Sequence, residues 1–173
     1  MVIAGAIACL GLSAAGSAFG TGFAASSAVG AWKKCYAANK PAPFILLGLV
    51  GAPITQTLYG MILMFIMLGK ASISDAGVPL LVLGIFAGLG IGLSALFQGR
   101  AAAAACDAQA ETGQGLTNYF GALGIVETVA IFTMVFTIIA LGKVAEVLAP
   151  AAGRGTDVLK IGARCPTNVP LVA

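Results

Sequence analysis

The chain has no histidine among its 173 residues, which excludes a histidine-based nucleophilic triad and removes the commonest metal ligand. Charge is also scarce. Only 9% of residues are Asp, Glu, Lys or Arg, against about a quarter in a soluble domain. The four cysteines, Cys9, Cys35, Cys106 and Cys165, form no C-x-x-C pair, so neither a zinc site nor a dithiol redox site is expected, and the thiols read as small apolar fillers. The net charge of +3 lies mostly between apolar runs and speaks to membrane topology rather than to nucleic acid. The chain alone suggests no catalytic site and no organic cofactor. Its chemistry is left to carboxylates, amides and hydroxyls.

What is abundant is apolar surface: 60% of residues are hydrophobic and the mean hydropathy is +1.03. Residues 1–32, 41–69 and 76–99 carry no charge, the third run continuing through alanines to 105, and residues 112–142 carry only Glu127. Each run is long enough for the roughly 20 apolar residues that cross a bilayer as a helix. This predicts an all-α, multi-pass integral membrane protein with four transmembrane helices. The first run has no basic leader and is too long for a secretory signal, so it is expected to stay as a span. Lys33, Lys34 and Lys40 place the first connection, residues 33–40, in the cytoplasm. The third connection, residues 106–112, which we group with Arg100, Asp107 and Glu111, returns there by parity, and both termini lie outside.

The four spans form a duplication. "GLSAAGSAFGTG" at 11–22 aligns with "GLGIGLSALFQG" at 88–99, and "ITQTLYG" at 54–60 aligns with "IVETVAI" at 125–131. The expected organisation is therefore two tandem helical hairpins of parallel topology, residues 1–70 and 71–149. Residues 150–173 form a C-terminal extension without periodic pattern: an extra element, a peripheral tail or an appended artefact. In this alignment Gln56 corresponds to Glu127, so one hairpin carries an acid and the other its amide. Spans one and three are rich in Gly, Ala and Ser, which let backbones approach closely. Such helices suit either one four-helix bundle or a curved wall of many subunits, and we expect the wall.

Glu127 sits at the middle of its run and Gln56 at the middle of span two, which places both near the bilayer midplane. A charge there is costly unless it is neutralised, paired or metal-bound, and such residues usually mark function. Potential partners gather around it. Thr55, Gln56 and Tyr59 share one stretch of span two, just after Pro53, which cannot donate a helical hydrogen bond and so frees backbone oxygen nearby. Span three adds Gln98, and span four adds Thr128 beside Glu127. Taken together they make an all-oxygen set suited to a hard cation. Taken singly, Thr55 and Thr128 can bond their own helix backbones, and Tyr59 can be a packing ring.

"PITQTLYG" at 53–60, "FQGRAAAA" at 97–104 and "IVETVAI" at 125–131, in that order across a duplicated hairpin, resemble the proteolipid of V-type and archaeal A-type rotary ATPases, their rotor-ring component. The resemblance spans roughly residues 5–147. It implies a homo-oligomeric membrane rotor ring turning against a stator a/I subunit with an essential arginine and joined to central-stalk rotor subunits, in a prokaryotic plasma membrane. It further implies that Glu127 is the ion carrier, that Thr55, Gln56 and Gln98 help bind sodium, and that Tyr59 hydrogen-bonds the acid. Ala52 stands where such relatives place a leucine whose main-chain carbonyl is a ligand.

The ion is expected to be sodium, with the proton as alternative. A proton needs one tuned carboxyl, whereas each extra polar group buried in a membrane costs free energy unless it has a partner. Two glutamines and a threonine imply a cargo that uses their oxygens, although a buried water can also take several polar partners. A small four-helix transporter or pore-forming membrane protein is the competing functional class; it explains the small-residue helices but not a midplane acid ringed by amides.

Overall fold

The computed structural model describes residues 1–70 and 76–162, with side chains described to residue 148. The described residues form helices and their connections with no strand, and four helical stretches are long and apolar enough to cross a membrane. Helix α1 runs Val2–Ala37. The second span is built from α2, Leu46–Gly51, a 3₁₀ turn, Ala52–Ile54, and α3, Thr55–Leu68. Helix α4 runs Gly77–Thr112 and α5 runs Leu116–Gly162. At 1.5 Å per residue α1 and α4 are each about 54 Å long, well beyond a hydrocarbon core of about 30 Å.

That length corrects two expectations. Residues 33–37 and 106–112, read as connections, are the last turns of α1 and α4, and the non-helical connections are residues 38–45 and 113–115. Charges end an apolar run without ending a helix, because a projecting helix keeps its own backbone bonds and lets water solvate the side chains. Asn39 and Gly113 adopt positive φ at these turns, and Gly113 closes α4 as a left-handed cap. Lys34 reaches across to Asp107 Oδ1 at 2.9 Å and Glu111 Oε1 at 3.2 Å, so the two connections lie at one end of the molecule. Arg100, grouped with that connection above, instead sits inside α4 only two residues beyond Gln98. The helix also passes through Pro150 at the other end, so the first part of the C-terminal extension is helical backbone; residues 163–173 lie outside the described residues.

The small-residue helices α1 and α4 pack on each other over their length, with α3 against α1 and α5 against α4. A side chain at Gly16 would overlap the backbone of Gly92, one at Gly99 that of Gly20, and one at Gly84 that of Gly5. Within one chain, then, spans one and three use their glycines on each other. Gly11 and Gly22, the repeat partners of Gly88 and Gly99, face open space. Helix α5 is the least covered: Ile125, Phe132 and Phe136 are 73%, 60% and 66% exposed, an apolar face suited to lipid.

Two apolar clusters leave a layer between them. One gathers Ala6, Cys9, Leu63, Met67, Leu80, Ile91, Ala130 and Leu141. The other gathers Ala24, Ala28, Ala31, Leu46, Leu49, Ala102, Cys106 and Leu123, toward the connections. The polar side chains of α3, α4 and α5 occupy the gap.

Candidate ion-binding site

The second span breaks at Pro53 because proline has no N–H to donate to the preceding turn. The 3₁₀ turn that results leaves the Ala52 carbonyl accepting from the Thr55 backbone N–H and also from Thr55 Oγ1 at 3.1 Å. Thr55 Oγ1 also lies 3.2 Å from Gln56 Oε1. The break thus brings a hydroxyl, a carbonyl and an amide oxygen together at the start of α3.

Gln56 and Gln98 are both fully buried, and Gln56 Nε2 donates to Gln98 Oε1 at 2.7 Å. Gln98 Nε2 donates in turn to the Leu123 carbonyl at 3.0 Å and lies 3.4 Å from Glu127 Oε2. On the other carboxylate oxygen, Tyr59 donates its hydroxyl to Oε1 at 2.7 Å. Glu127 itself is only partly covered. One edge of its carboxylate is held by α3 and α4 while the helix that carries it presents an apolar face outward.

All the residues singled out in the sequence therefore meet, with one exception. Thr128 is exposed and donates to Ile125 O of its own helix at 2.7 Å, the local bond expected of a helical threonine. Thr55 makes both its backbone bond and its contact to Gln56. Two partners escaped sequence reasoning. Ser94 Oγ donates to Val126 O at 2.9 Å, tying α4 to α5 one residue before Glu127. The Leu123 carbonyl anchors Gln98. Ser94 lies one turn before Gln98 on the same face of α4, and that spacing was the signal available for finding it.

Chemically the cluster offers a carboxylate, two amides, a hydroxyl and a main-chain carbonyl within one hydrogen-bonded chain. The residue types fit a hard cation. In the arrangement described, Gln98 turns its amide nitrogen toward Glu127, the orientation that stabilises a bare carboxylate; offering its oxygen to a cation requires the amide to reverse, and Gln56 to yield that contact.

Residues 81–140, which include Gln98 and Glu127, match the family model of the ATP synthase C subunit. No curated protein matches the chain. The matched segment comprises most of α4 and the part of α5 that carries the acid. Over this segment the second hairpin is similar to the proteolipid of that family, and four described helical stretches are long and apolar enough to cross a membrane.

Proposed function

We propose that the chain is the V/A-type form of this proteolipid, a duplicated hairpin that assembles with copies of itself into a rotor ring and carries one ion per protomer on Glu127. The observation that carries this reading is the convergence of Tyr59, Gln98, Gln56 and Thr55 on a single mid-span acid. The first hairpin has Gln56 where the second has Glu127, so each chain contributes one titratable carrier. Facing lipid, Glu127 must be neutralised by its ion; it can stand empty only beside a compensating charge, the role of an arginine on the stator a/I subunit. Rotation with an uncompensated site is thereby costly, which couples ring steps to ion passage. Each charge crossing the membrane supplies about 2.3 kcal/mol per 100 mV, so several ions must combine for each ATP, with torque passed through central-stalk rotor subunits.

Sodium is the preferred cargo because the buried amides and hydroxyl are more than a proton requires. The proton is the second reading, favoured by one observation: Tyr59 already holds one carboxyl oxygen of Glu127, and a proton site needs only a carboxyl and one such partner. Replacing Glu127 by Gln tests the shared core of both readings, since the amide is nearly isosteric and lacks only the exchangeable charge. Coupled transport in the reconstituted complex should vanish while the ring still assembles; retained coupled transport would remove Glu127 from the pathway.

A further inference from the structure

Where α1 meets α4 inside the chain, Gly5, Cys9, Leu12, Gly16 and Gly20 touch Gly84, Gly88, Gly92, Ala95 and Gly99. The repeat register that pairs Gly11 with Gly88 gives each of these a counterpart in the other hairpin. Counterparts of the α1 set are Val82, Phe86, Leu89, Leu93 and Phe97, all exposed large hydrophobics. Those of the α4 set include Gly11, Ala15, Ala18 and Gly22, all exposed as well. One free face is therefore a row of large side chains on α4, and the other is a small-residue groove on α1. Repeating the packing step of the two hairpins sets that row into that groove: Phe86 falls on Gly11, Leu93 on Ala15, and Phe97 between Ala18 and Gly22. One chain cannot make this contact with itself. At about 100° per residue, Gly22 is turned about 160° from Gly20, and Phe97 equally from Gly99.

The groove also carries hydroxyls without partners. It is lined by Ser17, Ala18, Thr21 and Gly22 of α1 and by Ile54 and Thr57 of α3. Ser17 is 5% exposed, and neither its Oγ nor Thr21 Oγ1 has a hydrogen-bond partner among the described residues. Ser13 and Ser26 on the same helix instead bond their own backbone. An acyl chain in the groove offers these hydroxyls no acceptor. A helix does, and this chain already uses such bonds between helices: Ser27 Oγ donates to Ala103 O at 2.6 Å, and Ser94 Oγ, the repeat counterpart of Ser17, donates to Val126 O at 2.9 Å.

We propose that a second copy of this chain seats its α4 row in the α1 groove, with its α5 lying over Ser17 and Thr21 as α3 lies over Gln98 within one chain. The seam inside a chain is backbone against backbone at glycines. The seam between chains is large side chains in a small-residue groove. Helices α1 and α4 then alternate through the assembly, closer together within a chain than between chains. Because the contact joins two unlike faces, it passes from copy to copy and closes into a ring where the rotation allows. This inference rests on the rotor reading, since copies must meet, and names the surfaces through which they do.

The test exchanges the sizes of one pair in the full chain, purified in mild detergent and measured by size-exclusion chromatography with light scattering. Gly22→Phe should lower the assembled fraction about tenfold or more, while its own chain has nothing within 4 Å of that position to disturb. Adding Phe97→Gly should restore most of the assembly. In a second measurement, Gly22→Cys combined with Phe97→Cys should oxidise into covalent multimers far more than either change alone. Full assembly of Gly22→Phe, no recovery on adding Phe97→Gly, or no gain in multimers from the cysteine pair would each overturn the proposal. If Gly22→Phe does not accumulate, the cysteine pair decides. Any of these contrary results from a protein that assembles when unaltered defeats this seam and leaves the rotor reading standing, whereas an unaltered chain that purifies as a monomer defeats both.

Discussion

Tyr59 and Glu127, 68 positions apart, meet through a 2.7 Å hydrogen bond that joins α3 to α5 across the edge of α4. The phenol fixes one carboxylate oxygen while Gln98 approaches the other, so the acid is held from two helices. A hydrogen bond to a charged group contributes about 1.5–3 kcal/mol. Tyr59→Phe keeps the ring and removes that bond. The expected outcome is a roughly tenfold or greater loss of ion affinity, read from the ion-concentration dependence of transport, with assembly intact. Unchanged affinity would make Tyr59 a packing ring only.

The two glutamines should act as a pair. Gln98 touches Glu127, whereas Gln56 reaches it only through Gln98. Gln98→Leu should therefore weaken sodium dependence more than Gln56→Leu, and the double variant should lose less than the sum of the two, because residues in one hydrogen-bond chain are coupled by about 0.5–3 kcal/mol. Additive losses would mean that the 2.7 Å amide contact carries no binding energy. Sodium titrations of ATP hydrolysis by the four proteins make the comparison.

Close packing of α1 on α4 positions Gln98. Gly92→Ala places a methyl group against α1, and overpacking of this kind costs about 1–3 kcal/mol; the expected result is a lower melting temperature in detergent. Gly142→Ala on α5, where nothing lies within 4 Å, should leave it unchanged. Equal melting temperatures for both variants would contradict the glycine contacts.

The four spans and the polar cluster were legible because a membrane makes charge and amide placement expensive: Glu127, Gln56, Gln98, Thr55 and Tyr59 stood out from hydrocarbon, and the positions of Glu127 and Gln56 at the middle of their apolar runs set their depth. Arg100 was misplaced by the same logic. An apolar run ends there, but the alanines of 101–105 are strong helix formers, and α4 continues to Thr112. Helix ends follow backbone hydrogen bonding rather than hydropathy, which is also why residues 33–37 and 106–112 proved helical. The break at Ala52–Ile54 was signalled by Pro53, yet its 3₁₀ geometry was not. Nor was the side on which Gln98 turns its nitrogen, since that amide's orientation is set by partners on two other helices, α3 and α5.

The central claim is that Glu127 carries the ion and that sodium is that ion. Carbodiimide attacks a protonated carboxyl, so bound sodium should shield Glu127. Labelling of the purified ring at near-neutral pH, followed with and without millimolar sodium, reads this directly. Sodium is predicted to slow modification of Glu127 strongly and lithium less so; a labelling rate indifferent to sodium would contradict the claim and assign the site to protons.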